Sequence, residues 1–195
     1  MRRGLLILFS GFVLQVTALS QAHADAMENQ ISSELGSYMG IYMLNQNQRT
    51  PGDRVVTRKT SSGYHAKIYY WRSYQKRNAL EEICQAYEWL LFGRTSYGNT
   101  AKEAFQKYPK LQSIELHLFD ILFGTKLGDK RGEILPTKKI VEHLKIGVKR
   151  STVLSKDFQE TTARSLLEKK QCSEVRKKYF TSYWVNRDYL KSVRS

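Results

Sequence analysis

The chain has 195 residues, 32 Lys and Arg against 18 Asp and Glu, a net charge of +14 and two cysteines. A length of this order can bury a real core, so folding does not depend on a disulfide framework. The charge favours polyanionic surroundings such as nucleic acid, anionic lipid headgroups or acidic envelope polymers, and says nothing of fold.

Residues 1–24 read as a secretory signal peptide. Arg2 and Arg3 precede an apolar run from Leu5 to about Leu19, interrupted by Gln15 and Thr17, and Ala22-His23-Ala24 supplies small residues at −3 and −1 of a cut. The run is short for a membrane-spanning helix, and no later stretch reaches the length that spanning requires. No Cys follows the cut, so a lipid anchor is not expected. General secretion is simpler than the twin-arginine route, because Met1 and Gly4 flank the pair directly. Removing 24 of 195 residues leaves 171, and loss of the two arginines lowers the charge to +12. The expected location is therefore a periplasm or the exterior. In such an oxidising compartment Cys84 and Cys172 are expected to pair, closing a loop of 88 residues.

Residues 25–53 form an N-terminal helix or strand followed by a loop. Met27, Ile31, Leu35, Tyr38, Met39 and Tyr42 suit a helical stripe, whereas Gly36 and Gly40 weaken it and Ser37–Leu44 also suits a strand. Asn45–Asp53, with Pro51-Gly52, is a loop. Residues 54–195 read as one α+β domain. Arg54–Thr60 and Tyr64–Trp71, parted by Ser61-Ser62-Gly63, predict a hairpin. A helix over Ala79–Phe92 is signalled by Asn78 with Glu81 and by a stop at Gly93. A short second helix opens at Thr100 with Glu103 and ends before Pro109. Ile114–Gly124 alternates and continues to a turn at Lys126-Leu127-Gly128-Asp129, and Lys138–Arg150 alternates again. Asp157–Lys191 reads as helical, with a break at Lys169-Lys170-Gln171. The class is α+β: a largely antiparallel four-stranded sheet, in β-β-α-α-β-β-α order, with helices packed on one face.

Period-two alternation sets out two faces. Ala66, Ile68, Tyr70, Leu116, Leu118, Leu122, Ile140, Leu144, Ile146 and Val148 share the aliphatic side. The opposite side takes His65, Lys67, Tyr69, Trp71, Glu115, His117, Phe119, Lys139, His143, Lys145 and Lys149. Aromatic rings interleaved with lysines suit a stacking platform, and Lys67, Tyr69, Trp71, Phe119, Lys145 and Lys149 are the expected binding residues. Partners of that chemistry are an anionic polymer, an anionic membrane surface or a protein. A protein partner would use an apolar hot spot at Trp71 or Trp184.

The alternative is a metal-independent, nuclease-like hydrolase with His65, His117 and His143 as acid and base and Lys145 on the transition state. Three histidines could also hold zinc, although no metal or other cofactor is expected. Asp120 falls on the aliphatic side near a strand end, where it would reach water or a Lys. No second carboxylate pairs with it as a glycosidase dyad requires. Nucleophile-elbow, His-Glu-x-x-His and phosphate-loop patterns are absent from the sequence. Gly128–Gly132 is too short and basic for a calcium loop and reads as a hairpin tip. The basic, aromatic C-terminal stretch around Tyr179, Tyr183 and Trp184 suits an amphipathic helix packed on the core rather than one lying on a membrane. The expected role is a small, exported, non-enzymatic binding protein.

Overall fold

In a computed structural model of the chain, residues 26–40, 54–73, 79–93, 101–127 and 134–188 are described. The expected signal peptide, the Asn45–Asp53 loop, the caps at Asn78 and Thr100 and the 128–132 hairpin tip lie outside the described residues. Helix α1 spans residues 26–38, which settles the N-terminal ambiguity. Ile31, Leu35 and Met39, spaced four apart on one stripe, are all buried.

Strands β1 (Arg54–Thr60) and β2 (Gly63–Ser73) form the expected hairpin. Helix α2 (Ala79–Phe92) stops at Gly93, whose φ of 77° is a conformation that favours glycine. Helix α3 (Ala101–Lys107) buries Ala101, Ala104 and Phe105. Strands β3 (Leu111–Leu127) and β4 (Ile134–Lys149) make a long antiparallel pair. The short helix α4 (Arg150–Val153) leads to α5 (Glu160–Glu168) and α6 (Cys172–Tyr179). The break between the last two falls at Lys169-Lys170-Gln171 as expected, with Lys170 in a left-handed conformation at φ 57°. Asp157 does not cap α5. That place belongs to Gln159, whose side chain makes no capping bond.

The class is α+β, but the sheet departs from expectation in two ways. It has five strands in the order β1-β2-β3-β4-β5, and β2 pairs with β3 in parallel. The 37 residues between Ser73 and Leu111 carry α2 and α3, a crossover long enough to return the chain to the same end of the sheet. The extra strand, β5 (Ser182–Val185), lies in the stretch expected to be helical. Tyr183, Trp184 and Val185 favour a pleated surface. Backbone bonds from Thr181 N–H to Gly147 O (2.9 Å) and from Asn186 N–H to His143 O (2.9 Å) then fix the strand against β4.

Helices and sheet share one core. Tyr64, Ala66, Ile68, Ile114, Leu116, Leu118, Leu144, Ile146 and Val148 meet Ile31, Leu35, Tyr87, Leu91, Phe105, Val175 and Tyr179. Val175 and Tyr179 thus pack on the core, as expected of an amphipathic helix. Cys84 on α2 and Cys172 at the start of α6 form a disulfide across 88 residues, with Cα atoms 5.3 Å apart. Among the described residues no helix is long and apolar enough to cross a membrane.

Candidate functional site

Register sets out the side of the sheet opposite the helices, because paired residues on neighbouring strands point to the same face. One row runs Arg54, Tyr69, His117, Lys145, Trp184 across all five strands. Toward the 60–63 turn lies the row Val56, Lys67, Glu115, Gly147, Ser182, and beyond it Arg58, His65, Ser113, Lys149. On the other side of the first row lie Trp71, Phe119 and Glu142.

Aromatic rings form a continuous stack here. Trp71 and Phe119 lie 4.4 Å apart at 13°, Phe119 and Tyr69 6.2 Å apart, and Tyr69 and His117 5.0 Å apart. The Arg54 guanidinium sits 4.8 Å over Tyr69, and Lys145 lies 5.8 Å from the Trp184 ring. Trp184 is 44 % exposed. Charges interleave with the rings. His117 places Nδ1 2.6 Å from Glu142 Oε1 and Nε2 3.3 Å from Glu115 Oε2. The His117 hydrogen bond holds Glu115 below the usual carboxylate range, against burial and with help from Lys67 and Lys145. Lys67 lies 3.9 Å from Glu115 and Lys145 3.9 Å from Glu142. Two expected binding lysines are therefore partly neutralised. Arg54, Arg58 and Lys149 keep the face cationic.

The structure places His143 elsewhere. The β3–β4 register shifts at a bulge: Leu118 pairs with Leu144 and Phe119 with Glu142, leaving His143 as the extra residue. The bulge turns His143 into the core side, where it is 2 % exposed, and brings Glu142 to the open face. Strand phase before it is inverted relative to simple alternation. Ile140 is 37 % exposed rather than aliphatic core, and Lys139 does not share a face with Lys145 and Lys149. Asp120 is likewise no water-reaching strand end. It is 3 % exposed, with β3 running on to Leu127.

The three histidines consequently do not meet. His65 pairs with Ser113, four residues from His117 along β3, so the two rings stand roughly 13 Å apart along the strand direction. His143 lies through the sheet from both. Among the described residues no cluster of His, Cys, Asp or Glu is placed to hold a metal ion.

His65 instead sits in a cleft of about 510 Å³ at one end of the open face, together with Ser62, Ser113, Lys149, Ser151 and Ser182. Its Nδ1 is 2.7 Å from Ser113 Oγ and its Nε2 3.0 Å from Ser62 Oγ. Sequence reasoning missed Glu142 because of the bulge. It missed the place of Trp184 because β5 read as helix. Ser113 escaped because β3 was begun at Ile114, and starting that strand at the first β-capable residue after Pro109 would have found it. No protein-family model matches the chain, and no curated protein or solved structure is significantly similar to it.

Proposed function

We propose that this is an exported protein that binds an anionic envelope polymer, without chemistry at the aromatic platform, through the sheet face opposite its helices. One observation carries the reading: the continuous stack of Trp71, Phe119, Tyr69 and His117 beside Arg54, Lys67, Lys145 and Lys149, on a face where no described helix packs. Stacked rings offer flat contact area, and neighbouring cations attract phosphate or carboxylate groups along a chain. Export rests on the signal-peptide pattern of residues 1–24, and the Cys84–Cys172 disulfide is compatible with an oxidising compartment. The hydrolase that would share catalysis among His65, His117, His143 and Lys145 lacks support, since the rings do not converge.

The test is binding of purified protein to inorganic polyphosphate, with anionic phospholipid vesicles in a parallel arm, across a salt series. The expected affinity for polyphosphate falls steeply with salt. Lys149→Ala and Arg54→Ala each lower the slope by about one counterion, and Trp71→Ala weakens binding without changing it. Binding to vesicles alone would move the reading to a membrane surface. Salt-independent binding, or none, would end it.

A further inference from the structure

The geometry points to a second property: Ser113 is a nucleophile activated by His65, and the cleft around them cleaves small acyl esters. With the Thr60 hydroxyl hydrogen on Gly63 O at 3.1 Å, Thr60 Oγ1 accepts from Ser62 Oγ at 2.9 Å. In that arrangement the Ser62 hydroxyl hydrogen is used, and Ser62 Oγ accepts from His65 Nε2–H at 3.0 Å. A neutral imidazole with its proton on Nε2 presents a lone pair at Nδ1, and that lone pair faces the Ser113 hydroxyl at 2.7 Å. Four hydrogen bonds run in one direction, from Ser113 through His65, Ser62 and Thr60 to a backbone carbonyl. In this direction they set the tautomer that a catalytic triad uses. The Ser62 N–H, 3.2 Å from Thr60 Oγ1, anchors the far end of the chain within the β1–β2 turn.

The surroundings fit acyl transfer. Lys149 is the β4 register partner of Ser113, and it lines the same cleft. Directly paired residues on one face have Cβ atoms about 5 Å apart, so its ammonium can reach an oxygen that becomes negative beside Ser113. Most residues lining the cleft carry polar groups, among them Gln112, Thr181 and four serines, and Gly147 leaves its floor without a side chain. Such a wall suits a short acyl group on a hydrophilic alcohol.

The reaction balances as follows. Ser113 Oγ attacks the ester carbonyl carbon while its proton passes to His65 Nδ1, and Lys149 faces the resulting oxyanion. The tetrahedral species expels the alcohol, which takes the proton from Nδ1 and leaves an acyl ester on Ser113. Water then attacks that ester, giving its proton to His65. The acid departs as the serine oxygen recovers the proton, so one ester and one water become one acid and one alcohol.

The test uses a fluorophosphonate probe on the purified protein, with peptide mass spectrometry to locate the adduct and 4-nitrophenyl acetate to follow turnover. The expected adduct is on Ser113. His65→Gln is expected to lower both labelling and turnover at least about 100-fold, the usual contribution of a general base. Should His65→Gln not fold, Ser62→Ala releases the tautomer lock on the exposed turn, and it should slow labelling several-fold while the adduct stays on Ser113. An unlabelled Ser113, an adduct elsewhere, or labelling undiminished in the variants that fold would overturn the assignment. The outcome is independent of polyphosphate binding, so either proposal can fail alone.

Discussion

His143 Nδ1 lies 3.3 Å from Asp120 Oδ2 beneath the sheet, with both residues withdrawn from water at 2 % and 3 % exposure. The pair is made by the bulge. An uninterrupted β4 would have put the imidazole on the opposite face, away from Asp120. Buried polar partners cost most when one is removed and the other stays behind. His143→Ala and Asp120→Ala are each expected to destabilise the fold by about 2–3 kcal/mol, and the double variant by clearly less than the two losses added. Urea unfolding of all four proteins measures the coupling. Losses that add to within about 0.5 kcal/mol would mean that the two groups act independently.

That pair also marks where the sequence stops being legible. Alternation in β2 and early β3 put Ala66, Ile68, Leu116 and Leu118 in the core, because strands buried on one face carry that period openly. The same rule misplaced His143, Ile140 and Lys139 together, since one extra residue reverses every position before it and no residue type announces it. β5 was hidden differently. Four residues, Ser182–Val185, are too few for a periodic signal, and their conformation comes from pairing with Leu144–Gly147, remote in sequence. Parallel pairing of β2 and β3 was readable in principle from the length of the crossover. The Ser113–His65 contact needed that pairing and its register before it could be found.

The Cys84–Cys172 bond closes a loop of 88 residues. Constraint of the unfolded chain by such a loop is worth about 4–5 kcal/mol. Replacing both cysteines by alanine, or adding reductant, is expected to lower the thermal midpoint by well over 10 °C, at a few degrees per kcal/mol. Secondary structure should survive at low temperature, because Cys84 and Cys172 are only a small part of the buried core. A midpoint unchanged by reductant would show that the bond adds no constraint the folded core lacks.

Glu34 ties α1 to the end of α3. Its carboxylate accepts from Tyr38 Oη at 2.5 Å, from Lys107 Nζ at 2.8 Å and from the Tyr108 hydroxyl. Burial pushes Glu34 up, but these bonds more than offset it and hold the group below the ordinary value of 4.5. A carboxylate depressed in the folded state contributes stability that is present above pH 4.5 and is lost as pH falls through the folded value. Glu115, depressed by His117, adds to acid sensitivity with the same sign. Glu34→Gln is therefore expected to cost about 1–2 kcal/mol at pH 7 and progressively less below pH 4.5. Thermal midpoints taken from pH 7 to pH 2.5 should show the two proteins converging. A gap of constant size across that range would remove Glu34 ionisation as the cause.

Gly147 is the β4 register partner of Ser182 on β5. A Cβ added there would overlap Ser182 Oγ and press on Glu115 Cγ at 3.1 Å. The Thr181 N–H also donates to Gly147 O, at 2.9 Å, so the backbone has no easy way to retreat. Gly147→Ala is expected to destabilise the protein by about 1–3 kcal/mol, the usual cost of overpacking, with the loss concentrated in detachment of β5. Removing the obstructing oxygen should reverse part of it: Gly147→Ala with Ser182→Ala is expected to be more stable than Gly147→Ala alone. Amide hydrogen exchange at Thr181 and Asn186, whose N–H groups bond to β4, reports whether the strand has opened. Rescue by Ser182→Ala with restored protection would locate the strain at this crossing. A double variant no better than Gly147→Ala would shift the cause to Glu115, the next neighbour that the new methyl group meets.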